Sequence, residues 1–525
     1  MARFKDTEKH QGMFLTVNLY EQLLPGTFEW TVDYLINQAD MSLFELKYNN
    51  DTKGATAYSP KILLKIILYC YSAGIITSRF IEKACKDNII VKALAENSEP
   101  DHSTIAAFIS TNNEAIKNLF AQVLLQCSKL KLITGEMFAI DGCKLPSNAS
   151  KEWSGTIEEL TKKRDKLKSY IGRLLSIHQE LDNNAKAKKL NKRFQKTMGD
   201  ATERREKSIK KAKKKLKKLN QALEKLEPRM GLADAEVKSN ITDNESAFIK
   251  TSDGYVQGFN GIAVADSANQ VILCAEVTGS VAESGKFPEM LDTLKENMKE
   301  VTGKEEPLKK SIMLGDTNFF TENNLQKAAE LGIEAIIPDP QFRQRDPHFA
   351  EKKREKVKKK LFTKEDFKYN EATNSFTCPG GKELRNIGET VIGNNSGIKY
   401  QARGKDCVEC PLIEQCIKKR KSATPADKEK KKRNPVRTLF IAIKAYVETF
   451  CEKMREKIDD PVYKEIYSRR MQIIEPVFSN ITYCKGMDRF TLRGEKKVGA
   501  QWKLYCIVHN IGKCMKPLAK KRKRA

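Results

Sequence analysis

The chain of 525 residues carries 95 Lys and Arg against 68 Asp and Glu, a formal net charge of +27, with 40% hydrophobic residues. That length fits roughly three or four domains, and the apolar content excludes a disordered chain. The basic excess attracts a polyanion, nucleic acid before a membrane surface. The N-terminal stretch lacks the uninterrupted apolar run of a signal peptide. The most apolar stretch, Ile62 to Ile76, contains Lys65 and is too short to span a bilayer. A cytoplasmic protein is expected, with its 13 cysteines mostly free thiols or metal ligands and not disulfides.

Residues 1–130 read as a helical domain. Ser59-Pro60 opens a helix with a broad apolar face, Arg79 to Cys85 forms another, and Asp101-His102-Ser103-Thr104-Ile105 opens a long one. Short helices and tight turns fit either a helix-turn-helix DNA reader or a plain helical bundle. The strand run Met137-Phe138-Ala139-Ile140 ends on Asp141, within 131–155.

Residues 156–235 change character. Leu160, Leu167, Leu174 and Leu181 recur every seven residues, and Ile209, Ala212, Leu216, Leu219, Leu223 and Leu226 form a second seam. This predicts a lysine-rich coiled-coil hairpin, whose outer lysines are either a solvated face or a phosphate track.

Segment 240–338 turns to strands. Phe259–Ala265 and Val271–Val277 flank a turn-forming cluster and predict a hairpin, followed by a helix near 284–300. The strand Ser311 to Leu314 then leads into Asp316, a helix covers Asn323 to Leu331, and a short strand covers Ala335 to Pro338. The fold class is therefore mixed α/β, in the element order of a ribonuclease-H-like core with its first strand central, so that Asp141 and Asp316 lie at neighbouring strand ends. Residues 339–436 form a basic insertion with lysine runs at 352–360 and 428–433. Core helices resume over 437–515, and 516–525 is a basic tail expected to be mobile.

A lone Asp at a strand end is usually a cap or a surface charge. Asp141 differs in being followed by Gly142, which permits close backbone approach, and by Lys144, Ser147 and Asn148, a polar loop suited to phosphate. Glu475 lies on a helix-like segment with Tyr467, Arg469 and Arg470. Hard carboxylate oxygens without His or Cys suit two Mg²⁺ or Mn²⁺ ions, the apparatus for cutting and joining phosphodiesters.

Cys378, Cys407, Cys410 and Cys416 form C-x28-C-x2-C-x5-C, with Cys378 before Pro379-Gly380-Gly381. Four thiolates match a structural Zn²⁺ site, with an iron–sulfur cluster or unligated thiols as the alternatives. His509 is open between an active-site contact and a core role.

Taken together, Gln11-Gly12-Met13-Phe14-Leu15, Asp101 to Ile105, Ala139 to Ala149, Gly254 to Asn260, Glu475-Pro476-Val477-Phe478, Arg493-Gly494 and His509-Asn510 resemble a DDE transposase of bacterial insertion sequences. The subgroup is the one with a lysine-rich helical insertion and a four-cysteine insertion. The resemblance implies that Asp141, Asp316 and Glu475 are the three catalytic acids, with Glu465 the runner-up for the third. Tyr467 and Arg470 fit the pattern around that acid loosely, with one residue more than usual between Arg470 and Glu475. The expected Lys falls at Thr482, the nearest lysine being Lys485. The implied activity is metal-dependent cleavage and strand transfer of element ends. Lys144, Ser147, Asn148, Tyr467, Arg470 and Lys485 would contact double-stranded DNA, a homodimer would assemble on it, and no membrane would be involved. A decayed, DNA-binding descendant and a host nuclease on the same fold are the rival readings. Trp30, Trp153 and Trp502 all lie outside 317–474, so a base-stacking Trp in that stretch is not expected.

Overall fold

The computed structural model describes residues 18–48, 56–187, 192–230, 236–251, 254–280, 283–347, 361–392, 395–417, 436–442 and 449–524. The chain divides into two units, one of residues 1–340 and 454–525 and the other of residues 341–453. The lysine runs at 352–360 and 428–433 and the Gln11–Leu15 motif lie outside the described residues.

In the larger unit, helices α1 (Phe28–Gln38), α2 (Pro60–Ser72), α3 (Ser78–Asp87), α4 (His102–Thr111) and α5 (Asn113–Lys129) form the first layer. Helix α2 starts as the sequence predicts, with Pro60 in its first turn, and it buries Leu63, Leu64, Ile66, Ile67 and Leu68. Lys65 on the same helix is buried with its charge met by Asp33 of α1 at 2.7 Å and by Glu96 at 3.6 Å. The Asp101-His102-Ser103-Thr104 motif is a capping device. Asp101 Oδ1 accepts from the backbone of Ser103 and Thr104 at 2.7 and 2.8 Å, and His102 Nδ1 bonds Glu82 of α3 at 2.7 Å.

The sheet of this unit begins with β1 (Met137–Pro146). Helices α6 (Ile157–Ala187) and α7 (Lys192–Leu223) then leave it as an antiparallel pair. Of the apolar positions on the pair, Leu160, Ile171, Ile209, Ala212 and Leu219 are buried, while Leu167 and Leu174 are half-buried and the Leu181 side chain lies outside the description. The pair is clasped at its root, where Ser154↔Asn240 and Gly155↔Ser239 form a two-rung ladder. Beneath that ladder Asn240 Nδ2 donates to Ser154 Oγ, Ser154 Oγ to Gln257 Oε1, and Gln257 Nε2 to Ser246 Oγ, at 2.7–2.8 Å.

The chain re-enters the sheet through β2 (Ala247–Thr251), β3 (Gly254–Asp266) and β4 (Ile272–Thr278), followed by α8 (Phe287–Thr302), β5 (Ile312–Leu314), α9 (Glu322–Glu330) and β6 (Glu334–Ile336). The strand order is β6-β5-β1-β3-β2, with β4 also pairing β3. Strand β1 is central as expected: it runs antiparallel to β3 and parallel to β5. From Gln257 onward β3 is buried on both faces, which explains its run of small and β-branched residues.

The last core helices are α10 (Pro461–Ser468), α11 (Arg470–Ser479) and α12 (Glu495–Arg524). Helix α12 packs against α1, α2, α4, α5 and β4, and its residues 500–511 are buried. A helix buried all round is a core element, and three polar groups key it to the sheet. Trp502 Nε1 donates to the Ile262 carbonyl at 3.1 Å, Asn510 pairs both ways with the Ile272 backbone at 2.8 Å, and His509 Nε2 meets the Gln270 carbonyl at 2.8 Å. Gly261 is required here, since a Cβ would fall 2.8 Å from the Trp502 ring. The basic tail corrects the expectation of mobility. Residues 516–524 continue α12, Ala519 reaches Gly26, and Arg522 lies over the Trp30 ring at 5.5 Å.

The smaller unit is a five-stranded antiparallel sheet of β7 (Lys368–Asn370), β8 (Ser375–Thr377), β9 (Glu383–Ile392), β10 (Asn395–Ala402) and β11 (Thr438–Ala442), in chain order. Its small core of Phe367, Leu384, Tyr400, Ala402 and Leu439 packs against Cys378, Cys407 and Cys416.

Candidate active site

Strand pairing sets the first two acids at one level. Ala139 of β1 pairs with Leu314, the last residue of β5; two residues on come Asp141, still within β1, and Asp316, past the end of β5 and capping the turn that follows. Asp141 is largely buried, and desolvation pushes its carboxyl above the ordinary Asp value. Arg470 and the Gly142 N–H oppose that shift, while the charges of Asp316 and Glu475 add to it. All three acids predicted from sequence therefore share one electrostatic neighbourhood.

Each acid is held differently. Arg470 Nη2, at the start of α11, meets Asp141 Oδ2 at 2.6 Å, and Asp141 Oδ1 accepts from the Gly142 N–H at 2.9 Å. Asp316 caps a short helical turn: its Oδ1 accepts from Asn318 N and its Oδ2 from Asn318 Nδ2, both at 2.9 Å. Glu475 is exposed on α11, five residues after Arg470 and well round the helix from it. Glu465, the sequence runner-up, instead pairs with Arg469 on an exposed helix face. Among the described residues no three Asp, Glu, His or Cys side chains are drawn together tightly enough to hold a metal ion. The guanidinium of Arg470 is the positive charge that Asp141 has in this arrangement.

A fourth acid, which sequence reasoning missed, completes the cluster. Glu283 precedes α8 and is 4% exposed. Its carboxyl is pushed up to about 7, chiefly by burial and then by Asp141 and Asp316, with Lys144 and Arg470 opposing. A Cβ on Gly142 would lie 2.7–2.9 Å from the Glu283 carboxyl group. The glycine after Asp141 is thus what lets this second acid approach the strand. The signal in the sequence was faint: Glu283 sits in Ser280-Val281-Ala282-Glu283-Ser284-Gly285, with no apolar run to mark it.

The remaining predicted contacts are divided. Lys144 is exposed on β1 and its charge is felt at Glu283. Asn148 is occupied, donating to the Thr491 carbonyl at 2.9 Å and accepting from Arg493 at 2.8 Å, while Ser147 Oγ accepts from Ala149 N. Lys485 lies over the Phe28 ring at 4.7 Å, where burial lowers its pKa. Thr482, at the position where a lysine was expected, donates to the Phe478 carbonyl of its own helical turn. Tyr467 stands near the end of α10. His509 is a core residue, neutral because burial drives its pKa down to about 3.

In the smaller unit the four cysteines surround one small cavity, together with Leu384, Ala402 and Arg437. The Lys382 N–H points at Cys378 Sγ at 3.3 Å across a turn closed by the Gly381 N–H on the Cys378 carbonyl. A Cβ on Gly380 would lie 3.4 Å from Cys410 Sγ and 3.6 Å from Cys378 Sγ, so these two sulfurs flank one glycine. Burial pushes the Cys416 thiol up. Cys407, Cys378 and Cys410 push the same way, and Arg437 opposes them.

Residues 377–515 match the model of a transposase DDE domain, and residues 17–111 match a second model, described as a transposase domain (DUF772). These are transposase-related domains. The first match takes in the four cysteines, Arg470 and Glu475, and the second takes in the helical layer through α4. Asp141 and Asp316 lie outside both. No curated protein matches the chain. Among the described residues no helix is long and apolar enough to cross a membrane.

Proposed function

We propose that the protein is a DNA transposase that cuts and joins phosphodiesters at the ends of an insertion sequence, using Asp141, Asp316 and Glu475 on a ribonuclease-H-like core. The observation that carries this reading is the placing of Asp141 on β1 and of Asp316 just past the end of the adjacent parallel strand β5, with Arg470 of α11 bonded to Asp141 and the charge of Glu475, on the same helix, felt there. The donor set fits hard divalent cations: carboxylate oxygens only, those of Glu283 without a hydrogen-bond partner among the described residues. Asp141, Asp316 and Glu475 would hold a pair of Mg²⁺ or Mn²⁺ ions. Such a pair supplies activation of the attacking oxygen and charge relief at the leaving oxygen.

The chain's own groups do the rest. Arg470 pairs with Asp141 and holds its carboxylate in place, and its planar fork also suits a phosphate. Lys144, at the rim, adds a point charge. The Phe28 contact of Lys485 leaves phosphate stabilisation chiefly to Arg470. The cysteine cavity would take Zn²⁺, pinning a unit whose own apolar core is small. Double-stranded DNA is the substrate, and processing two ends together calls for a homodimer on that DNA.

Strand transfer on end-containing DNA with Mg²⁺ or Mn²⁺ tests the reading. Asp141→Asn should lower the rate by roughly 10³-fold or more while DNA binding persists. A purified wild-type protein that binds end DNA without cutting it would favour the decayed, binding-only alternative. Cutting without end specificity or joining would favour a host nuclease.

A further inference from the structure

Glu283 is a buried carboxylate that the fold places deliberately and leaves unpaired. It is 4% exposed, and no described donor bonds its side chain. It does not cap the helical turn that follows it, although its backbone carbonyl accepts from Lys286 N at 3.0 Å. Its carboxyl group instead fills the space over Gly142, where a Cβ would meet it at 2.7–2.9 Å. A buried carboxylate without a partner is costly, and proteins tolerate one where a cation is to be bound. The nearest charges pull in both directions: Lys144 and Arg470 favour the ionised form, while Asp141 and Asp316 oppose it.

We infer that Glu283 is a fourth carboxylate ligand of the divalent-metal pair, reaching it from the sheet side across Gly142. This rests on the reading of Asp141, Asp316 and Glu475 as metal ligands. The charge balance supports it. Two divalent ions carry four positive charges, which three carboxylates leave partly unneutralised and four match. Once ions sit at Asp141, its ion pair with Arg470 is redundant and the guanidinium is free to face DNA. Gly142 gains a definite purpose, since any side chain there would push Glu283 away from Asp141.

The test is Mn²⁺ binding to the full chain without DNA, followed by calorimetry, by the electron paramagnetic resonance of the ion and by the thermal shift on adding metal. Glu283→Gln should weaken Mn²⁺ binding at least tenfold and shrink the metal-induced rise in Tm, while the metal-free Tm stays equal to or above that of the parent. Gly142→Ala, which keeps the acid but displaces it, should move the same readouts in the same direction. Asp141→Asn is the control for the underlying reading. If Asp141→Asn loses Mn²⁺ and Glu283→Gln binds it as the parent does, the fourth-ligand role is overturned and the triad stands. If neither substitution changes Mn²⁺ binding, both fall together. A lower metal-free Tm in Glu283→Gln with unchanged Mn²⁺ affinity marks a structural residue and also overturns the proposal.

Discussion

Arg470 and Asp141 make the central ion pair of the candidate site, at 2.6 Å with side chains 11% and 20% exposed. Removing the guanidinium leaves Asp141 desolvated and uncompensated. Arg470→Ala should therefore lower metal-free stability by about 2–3 kcal/mol, short of the fully buried case because the pair is partly solvated. Saturating Mn²⁺ should recover much of that loss, and denaturant melts with and without metal measure both. His509 gives the acid response. Its folded pKa is depressed to about 3 from the ordinary 6.5, so the unfolded chain binds the extra proton first. The stability it contributes is complete above pH 6.5 and is lost as pH falls from there toward 3. Lys513 and Lys485 add to the depression, and the Gln270 carbonyl opposes it. A His509→Gln variant should show a flatter pH–stability curve over that window, and an unchanged curve would refute the assignment. At this scale the sequence was legible where chemistry is local. Asp141 and Asp316 end apolar strand runs, and the Gly after Asp141 announced a close approach. Glu283 was illegible because its meaning depends on Gly142, a residue remote in sequence, and no period or cap marks it.

Elements were legible where periodicity was strong. The helical pair α6–α7 and the β3–β4 hairpin follow from the spacing of apolar residues, and the central place of β1 from the order of the elements. The end of α12 did not, because a run of Lys and Arg reads as a solvated tail. In the fold, Ile511, Cys514 and Leu518 carry the apolar face onward, and Ala, Lys and Arg are good helix formers. The convergence of the four cysteines was legible but the sheet was not, since the described residues of its strands are largely exposed and show no apolar alternation. If it binds Zn²⁺, elemental analysis should find about one ion per chain, and Cys410→Ser should lose it. That variant should melt the smaller unit at lower temperature while the larger unit keeps its transition. A metal-free wild type with the same two transitions would remove the structural role.

Across the whole molecule the net charge of +27 is the dominant long-range property. Binding to end DNA should weaken by about 10³-fold or more between 50 and 200 mM salt, the response expected of six or more phosphate contacts. Asp141→Asn should retain that slope, because the acid is not part of the phosphate footprint. A flat salt response would argue against DNA as the partner. The two-rung ladder at Ser154–Gly155 and Ser239–Asn240 bears on how such a chain changes over time. Helices α6 and α7 between those rungs form a cantilever, anchored also where Arg229 donates to the Ser246 and Gly279 carbonyls: their reach can grow, shrink or be exchanged for another arm while the sheet keeps its register. Trimming both helices by matched turns should thus spare folding and alter only which stretch of a long polymer the arm can span.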